Sequence, residues 1–278
     1  MVQLPVSPIH FAPIIYLTPI IFLIRLSIVN MTKSLLLNRY SLKRSQKAAE
    51  SFYYLIQYTV LFLFSKHLIN KTGIAPFSLE NFFQFYPQRL HFDSLYSLFF
   101  STEISVYLVS LLFLKLETRT ENTDFKEMIL HHFITFSLIF TGYSRRHFEY
   151  SLLVANLHDV TDLFLESSKV LNYLLGEPVS VISFVMFAVA FFITRIIIFP
   201  CYLILPIVNG VGSTYMHNDE IQFSFMERLW FVVILSSLWA IDCYWMSQIV
   251  RMIRGMVRLE IHGDIRDREE CSGALKDD

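Results

Sequence analysis

Two adjacent histidines, His131 and His132, lie within one apolar stretch of the sequence, and Asp159 and Asp162 lie within the next. Ionisable side chains are costly to place inside a bilayer, so a group of them in apolar segments indicates a functional site. A neutral imidazole beside a carboxylate can act as a general base, and an imidazole can also attack an acyl group as a nucleophile. The sequence therefore predicts proton transfer or acyl transfer within the membrane.

The acidic residues of the second stretch, Asp159, Asp162 and Glu166, are spaced so that they share one stripe of a helix. Carboxyl groups facing lipid would be untenable, so they are expected to face protein, water or a cation such as Lys169. Two other interpretations exist: buried polar groups that stabilise helix association, and a site for zinc or iron. The chain lacks the repeated HxxxH and HxxHH blocks of membrane di-iron enzymes, so no metal is expected.

Composition places these residues in an integral membrane protein. The 278 residues are 54% hydrophobic, include 27 Phe and 14 Tyr, and only 17% are charged, which is too apolar for an ordinary soluble domain. About twenty apolar residues cross a bilayer as a helix. The sequence predicts an all-α polytopic membrane helical bundle of about seven transmembrane helices, with six to eight allowed, at 9–29, 49–69, 93–114, 126–143, 148–171, 179–208 and 228–250. The charge distribution does not indicate a nucleic-acid partner.

Loop charge predicts the orientation of these spans, because Lys and Arg accumulate on the cytoplasmic side. With the N-terminus in the lumen, the loops at 30–48, 115–125, 172–178 and 251–278 are cytoplasmic and hold most of the loop cations. The luminal side holds Lys66, Lys71, Arg89, Arg145 and Arg146. The predicted orientation is N-terminus luminal and C-terminus cytoplasmic. It places the N-x-[ST] sequence that begins at Asn70 in the lumen.

Helical rise allows the depths of the ionisable groups to be compared. At 1.5 Å per residue, the histidine pair lies about 8–10 Å inside the cytoplasmic face and Asp162 about 12 Å inside. A short loop joins the fourth and fifth spans, so they are expected to be antiparallel neighbours that enclose one polar cavity open to the cytoplasm. Arg195 and Asp242 are further charges in the last two spans, at depths that differ by about 10 Å. Pairing between them and separate roles are therefore both left open.

The segment 131–174 resembles the Lag motif of ceramide synthases, within the wider TRAM-Lag1-CLN8 (TLC) group of membrane proteins. It shares the paired histidines, H-D-x-[ST]-D at 158–162, and the Glu, Lys and Asn-Tyr that follow. Three further segments resemble parts of the family pattern: 50–55, similar to E-[SA]-x-W-[RK] but without its Trp, 124–128, which leads into the histidines, and the later span with Thr194-Arg195 and Phe199-Pro200. The resemblance covers roughly residues 45–250.

This resemblance implies N-acylation of a sphingoid base by an acyl-coenzyme A in the endoplasmic reticulum membrane, with acyl-coenzyme A as co-substrate and no bound cofactor. The catalytic residues it implies are His131, His132, Asp159 and Asp162. The substrate-binding candidates are Glu166, Lys169, Asn172, Tyr173, Arg195 and Lys126, and Lys126 is one of the loop cations suited to coenzyme A phosphates. The expected partners are the two substrates and the lipid bilayer, with a homodimer or a small accessory membrane subunit left open.

The expected domain organisation has three parts. They are an N-terminal span and basic cytoplasmic loop at 1–44, a catalytic membrane domain at 45–255, and a charged cytoplasmic tail at 256–278 that is expected to be disordered. A non-enzymatic member of the same group, acting in lipid sensing or trafficking, is the alternative function, although such members often lack the full set of histidines and aspartates. A transporter with a histidine and carboxylate proton relay is a third interpretation, which the lack of internal repeats disfavours.

Overall fold

A computed structural model describes residues 8–72, 94–118, 123–145, 147–176, 179–209 and 225–257. After a short 3₁₀ turn at Pro8–Phe11, these residues form α1 (Ala12–Leu36), α2 (Leu42–Thr72), α3 (Ser94–Phe113), α4 (Phe125–Ser144), α5 (Phe148–Leu174), α6 (Val179–Val208) and α7 (Phe225–Val257). The described ranges contain no strand, so the predicted all-α bundle is confirmed. The predicted tail at 256–278 begins inside α7 and, from residue 258 onward, lies outside the described residues.

Length and composition determine which helices can cross a membrane. Four helices in the described part of the chain are long and apolar enough on both measures: Ile9–Leu36, Ser94–Phe113, Val179–Val208 and Phe225–Met256. The other three, α2, α4 and α5, have 31, 20 and 27 residues and reach about 30 Å or more at the helical rise. They carry more polar residues, many of which are buried inside the bundle. The chain is a multi-pass membrane protein.

The seven helices pack in a closed succession in which each contacts the next: α1, α2, α5, α6, α7, α4, α3 and back to α1. The most extensive contact joins α2 and α5, whereas the contact between α4 and α5, which are joined by a short loop, is smaller. On α3, Ser101 and Ser105 are fully buried, and such small residues let membrane helices approach closely. The main apolar core includes Phe99 of α3, Leu152 of α5 and Leu235 of α7.

Hydrogen bonds fix both ends of α5. At its C-terminal end, Tyr40 Oη donates to the carbonyl of Leu174 at 3.0 Å and Arg44 Nε donates to the carbonyl of Tyr173 at 2.6 Å. The loop between α1 and α2 and the first turn of α2 thus satisfy carbonyls that a helix end leaves without a partner. At the other end, His147 Nε2 lies 3.1 Å from Glu227 Oε1 on α7. Both contacts hold α5 in register with its neighbours.

A buried arginine joins α1 to the bundle. Arg25 is 1% exposed, forms an ion pair with Glu117 just after α3, and donates from Nη2 to Tyr54 Oη of α2 at 2.7 Å. Its guanidinium also lies 4.3 Å from the centre of the Phe113 ring. A charge buried at this depth requires a partner, so this contact specifies how α1 sits against α2 and α3.

The middle of α6 departs from regular α-helical geometry. Phe192–Ile198 and Pro200–Ile204 form wider π-helical turns, a feature often found at functional sites. Pro200 begins the second of these turns, and proline often kinks or ends a helix because it lacks a backbone N–H. The helix instead continues to Val208, with the distortion confined to these turns. The first π-helical turn carries Arg195.

Candidate active site

A cavity of about 160 Å³, the large cavity, lies between α4, α5, α6 and α7. Its α4 and α6 residues come mainly from the N-terminal halves of those helices, and its α5 and α7 residues come from the C-terminal halves. Because consecutive helices run in opposite directions, these halves meet at the same end of the bundle. This is the end that the charge pattern predicts to be cytoplasmic.

Polar and apolar side chains both line the large cavity, and these two parts of its lining are named its polar side and its apolar side. The polar side carries His131 and His132 of α4, Asp162 of α5 and Arg195 of α6. The apolar side is formed by Leu165, Phe184, Phe187, Phe191, Ile249 and Met252. Such a surface suits an amphiphile whose polar group meets the imidazoles while its hydrocarbon lies along the phenylalanines.

The two imidazoles of α4 are buried and differ in their surroundings. His132 Nδ1 lies 2.8 Å from the carbonyl oxygen of Met128. A carbonyl only accepts, so Nδ1 carries the hydrogen and Nε2 is the basic nitrogen of the neutral ring. His131 Nδ1 is buried and has no hydrogen-bond partner among the described residues. The rings meet edge to face with centroids 5.8 Å apart. Two neighbouring imidazoles therefore line one cavity.

Trp245 of α7 positions the first imidazole. Its ring packs against His131 with centroids 4.9 Å apart, and its Nε1 donates to Asp124 Oδ2 at 3.0 Å. Asp124 immediately precedes α4 and is 2% exposed. The indole is therefore held between the start of α4 and the imidazole, which limits the rotation of His131.

Arg195 is the centre of a buried charge network that joins α5, α6 and α7. Its Nη2 donates to Asp162 Oδ1 at 2.7 Å, and its Nη1 donates to Asp242 Oδ1 at 3.1 Å. Its Nε donates to Thr161 Oγ1 at 2.7 Å, and Nη2 also reaches the carbonyl of His158 at 3.1 Å. The guanidinium uses its planar fork on two carboxylates, and Asp162 is thereby fixed at the polar side of the large cavity.

The contact between Arg195 and Asp242 answers the question that the sequence left open. The expected depth difference of about 10 Å came from ending the last span at residue 250. The helix extends to Val257, which puts Asp242 about 22 Å from its end at the helical rise, compared with about 24 Å for Arg195 from Val179. The two charges are therefore level and pair directly.

Four further residues predicted from the sequence also line the large cavity: Glu166, Lys169, Asn172 and Tyr173 of α5. Lys169 Nζ lies 2.8 Å from Glu166 Oε1, which is the cationic partner expected for that carboxylate. Glu166 is 1% exposed, whereas the Lys169 side chain is 17% exposed. The charge of Lys169 is thus nearer the mouth of the cavity.

Two predicted site residues lie elsewhere. Asp159 is buried but does not line the large cavity; it faces a second, smaller cavity with Glu103 of α3 and His158. Lys126 is exposed at the start of α4 and does not line the large cavity either. Asp159 and Asp162 share a helical stripe as predicted, yet they open onto different spaces.

Sequence reasoning missed three residues that shape this region. Glu103 is a carboxyl within an apolar helix and is 1% exposed, so the signal that marked Asp162 was available for it too. Asp124 was noted only as part of the segment 124–128 that leads into the histidines. Trp245 gave no signal, since neither depth nor spacing shows which ring packs on an imidazole. The described residues contain no group of three or more His, Cys, Asp or Glu placed to hold a metal ion.

Comparison with known proteins identifies the family of this chain. The sequence model of the TLC domain matches residues 47–251. The chain belongs to the TLC domain family. The match spans α2 to α7 and includes both imidazoles and the Arg195 network, so these features lie within the part that defines the family.

Similar proteins with curated names are ceramide synthases. Ceramide synthase 4 of Mus musculus is 33% identical over 189 residues, covering 66% of this chain and 45% of that protein. Ceramide synthase 3 of Homo sapiens is 29% identical over 237 residues, covering 82% and 56%. Ceramide synthase LOH2 of Arabidopsis thaliana is 28% identical over 158 residues, covering 54% and 52%. The chain spans about half the length of the curated relatives it matches, and the resemblance predicted from its sequence is confirmed.

Proposed function

We propose that this TLC domain protein is a ceramide synthase that transfers an acyl group from acyl-coenzyme A to the amine of a sphingoid base. The observation that carries the proposal is the meeting of His131, His132 and Asp162 in the lining of one cavity that apolar side chains also line. The names of its relatives point to the same reaction. We place the protein in the endoplasmic reticulum membrane with the large cavity open to cytosolic acyl-coenzyme A.

The reaction has clear chemical requirements. The C–S bond of the thioester breaks, a C–N bond forms, and the ammonium of the sphingoid base loses two protons, one of which goes to the thiolate of coenzyme A. The basic Nε2 of His132 suits the proton transfer or the attack on the acyl carbon. Asp162 supplies negative charge for the ammonium, and the phenylalanines of α6 supply an apolar wall for a hydrocarbon chain.

We assign substrate positioning to the residues around these groups. Glu166, Lys169, Asn172 and Tyr173 lie toward the end of α5, where the cavity approaches the predicted cytoplasmic face. Lys126 is exposed at the same end of α4 and suits the coenzyme A phosphates. Arg195 holds Asp162 and so orients the carboxylate that meets the amine. Association with a second copy of the chain or with a small accessory membrane subunit remains a prediction.

The test of the proposal is an incubation of purified protein with acyl-coenzyme A, first alone and then with a sphingoid base. We propose a covalent route, because two adjacent imidazoles exceed what one proton transfer requires. The first incubation should release at most one coenzyme A per chain and add an acyl mass to the peptide containing His131 and His132. The second should yield ceramide. Mass spectrometry of peptide and lipid measures both.

The outcomes of that incubation separate the mechanisms. If the imidazoles act only as bases, no coenzyme A is released until the amine is added. His67→Ala is the matched control, because His67 is exposed on α2 and should leave burst and adduct unchanged. Active protein with neither burst nor adduct would exclude the acyl-imidazole, and absence of ceramide with every acyl-coenzyme A would exclude the proposed function.

Topology gives a further prediction. Asn70 at the end of α2 should face the lumen, and Ser41 between α1 and α2 should face the cytoplasm. In a cysteine-free background, a membrane-impermeant maleimide should label Ser41→Cys in sealed microsomes but should label Asn70→Cys only after permeabilisation. Both positions are exposed, so access depends on the side of the membrane. The reverse pattern would place the large cavity on the luminal side, away from cytosolic acyl-coenzyme A.

A further inference from the structure

A second cavity is bounded by α3, α4, α5 and α7, and it is named the closed cavity because most of its lining residues are buried. Its volume is about 20 Å³, which is enough for one water molecule. Its polar wall is formed by Glu103, Tyr107, Thr135, Tyr150, Ser151, His158 and Asp159. None of these residues lines the large cavity, so the closed cavity is a separate polar space inside the bundle.

Many polar atoms around the closed cavity are buried without a hydrogen-bond partner among the described residues. They are Glu103 Oε1, Thr135 Oγ1, Ser151 Oγ, His158 Nε2 and Asp159 Oδ2. Each of these residues is at most 6% exposed. Buried polar atoms nearly always have a partner in native proteins, and a buried water typically makes about three hydrogen bonds to such atoms. This concentration of unpaired atoms around a space of water size indicates an occupant.

The charges around the closed cavity identify that occupant. Two carboxylates confined in one small space cannot readily both ionise, whereas one shared proton removes their repulsion. Among the residues that the structure describes, no Lys or Arg lines the closed cavity. The other titratable groups that line it are Tyr107 of α3, with Tyr150 and His158 of α5. Nearby charges come from Asp162, from Arg195, which is already held by two carboxylates, and from Asp242, 3.7 Å from His158 Nε2.

We propose that the closed cavity holds one water molecule and one proton shared between Glu103 and Asp159, and that it accepts a proton from the histidine pair. Tyr107 connects the two spaces, because its ring packs against His132 with centroids 5.9 Å apart and it also lines the closed cavity. The acceptor role rests on the proposed function. Of the two protons lost by the ammonium, the one not taken by coenzyme A passes from the imidazolium to the Tyr107 hydroxyl, which gives its own proton to the carboxyl pair. The pair then holds two protons, and one returns by the same route to water in the large cavity before the next turnover.

Infrared spectroscopy of the full chain without substrate tests the shared proton. A neutral carboxylic acid has a C=O stretching band separate from those of carboxylates and amides. We expect this band in the unsubstituted chain, its loss in Glu103→Gln and Asp159→Asn, and a shift of its frequency in Thr135→Val, which removes one hydroxyl partner of the water but keeps both carboxyls. Glu227→Gln is the matched control, because Glu227 pairs with His147 and does not line the closed cavity, so it should leave the band unchanged.

Two spectroscopic results would overturn the proposal. One is a spectrum that Glu103→Gln, Asp159→Asn and Thr135→Val all leave unaltered. The other is a band that disappears when choline chloride is replaced by sodium chloride, which would show that the closed cavity binds a metal cation in place of a proton. If Glu103→Gln does not fold, Thr135→Val and Glu103→Asp carry the test, since both retain the carboxyl pair and should shift the band.

The pH dependence of acyl transfer tests the acceptor role. Glu103→Gln should lower turnover about tenfold near neutral pH and approach the unsubstituted rate as pH rises, because water and hydroxide then take the proton from the imidazole. Glu103→Asp should recover most of the loss. A deficit that is equal at every pH would overturn the acceptor role. If the unsubstituted chain shows the infrared band but no acyl transfer, the proposed function is contradicted and the shared proton is still supported. Failure of the proposed function is therefore distinguishable from failure of the shared proton.

Discussion

Replacing either His131 or His132 with alanine is expected to lower ceramide formation by about 10²- to 10⁴-fold, the range that general acid–base groups contribute. Both rings line the polar side of the large cavity. The Met128 carbonyl of α4 orients His132, and the Trp245 ring of α7 orients His131. The measurement is the initial rate of amide formation from acyl-coenzyme A and a sphingoid base, with lipid product quantified by mass spectrometry.

Two controls separate loss of chemistry from loss of fold. His67→Ala removes an exposed imidazole on α2 and should retain the unsubstituted rate. Both alanine variants should elute from a sizing column as the unsubstituted protein does, since the neighbouring core residues of α4 stay unchanged. Near-normal turnover in either variant would remove that imidazole from the reaction, and the pair would then serve only to pack α4 against α7.

Depth along a helix was predictable from the sequence, because the helical rise is fixed. The apolar lengths identified all seven helices, and the rise placed the histidine pair level with Asp162, so their meeting in one cavity follows. The predicted difference in depth between Arg195 and Asp242 was wrong only because the last helix extends to Val257. A helix can continue past its apolar run through polar residues. Because those residues carry little hydropathy signal, hydropathy does not show where the helix ends.

The neighbour that each side chain faces around its helix axis was not predictable in the same way. Asp159 and Asp162 are three residues apart, which separates them by about 60° around the axis at 3.6 residues per turn. That angle is enough for one carboxyl to meet Arg195 and for the other to meet the space beside Glu103. Which neighbour lies at each angle depends on the order of helices around the bundle. Sequence separation did not show that order, since α5 packs most extensively on α2.

Loss of Arg195 should destabilise the bundle strongly. Arg195→Met keeps an apolar stem of similar length but leaves Asp162 and Asp242 without their cation. Breaking a buried ion pair in this way destabilises a protein by about 3–5 kcal/mol. We expect the apparent midpoint of thermal unfolding in detergent to fall by about 10 °C at a fixed heating rate.

The reason for this loss can be tested by removing the two carboxylates as well. Adding Asp162→Asn and Asp242→Asn to Arg195→Met should restore most of the midpoint, because no uncompensated charge then remains between α5, α6 and α7. Arg251→Met is the matched control, since Arg251 is exposed on α7 and should shift the midpoint little. If Arg195→Met is no less stable than Arg251→Met, the network does not hold the three helices together. If the triple variant stays as unstable as Arg195→Met, the loss comes from the guanidinium bonds to Thr161 and the His158 carbonyl and not from stranded charge.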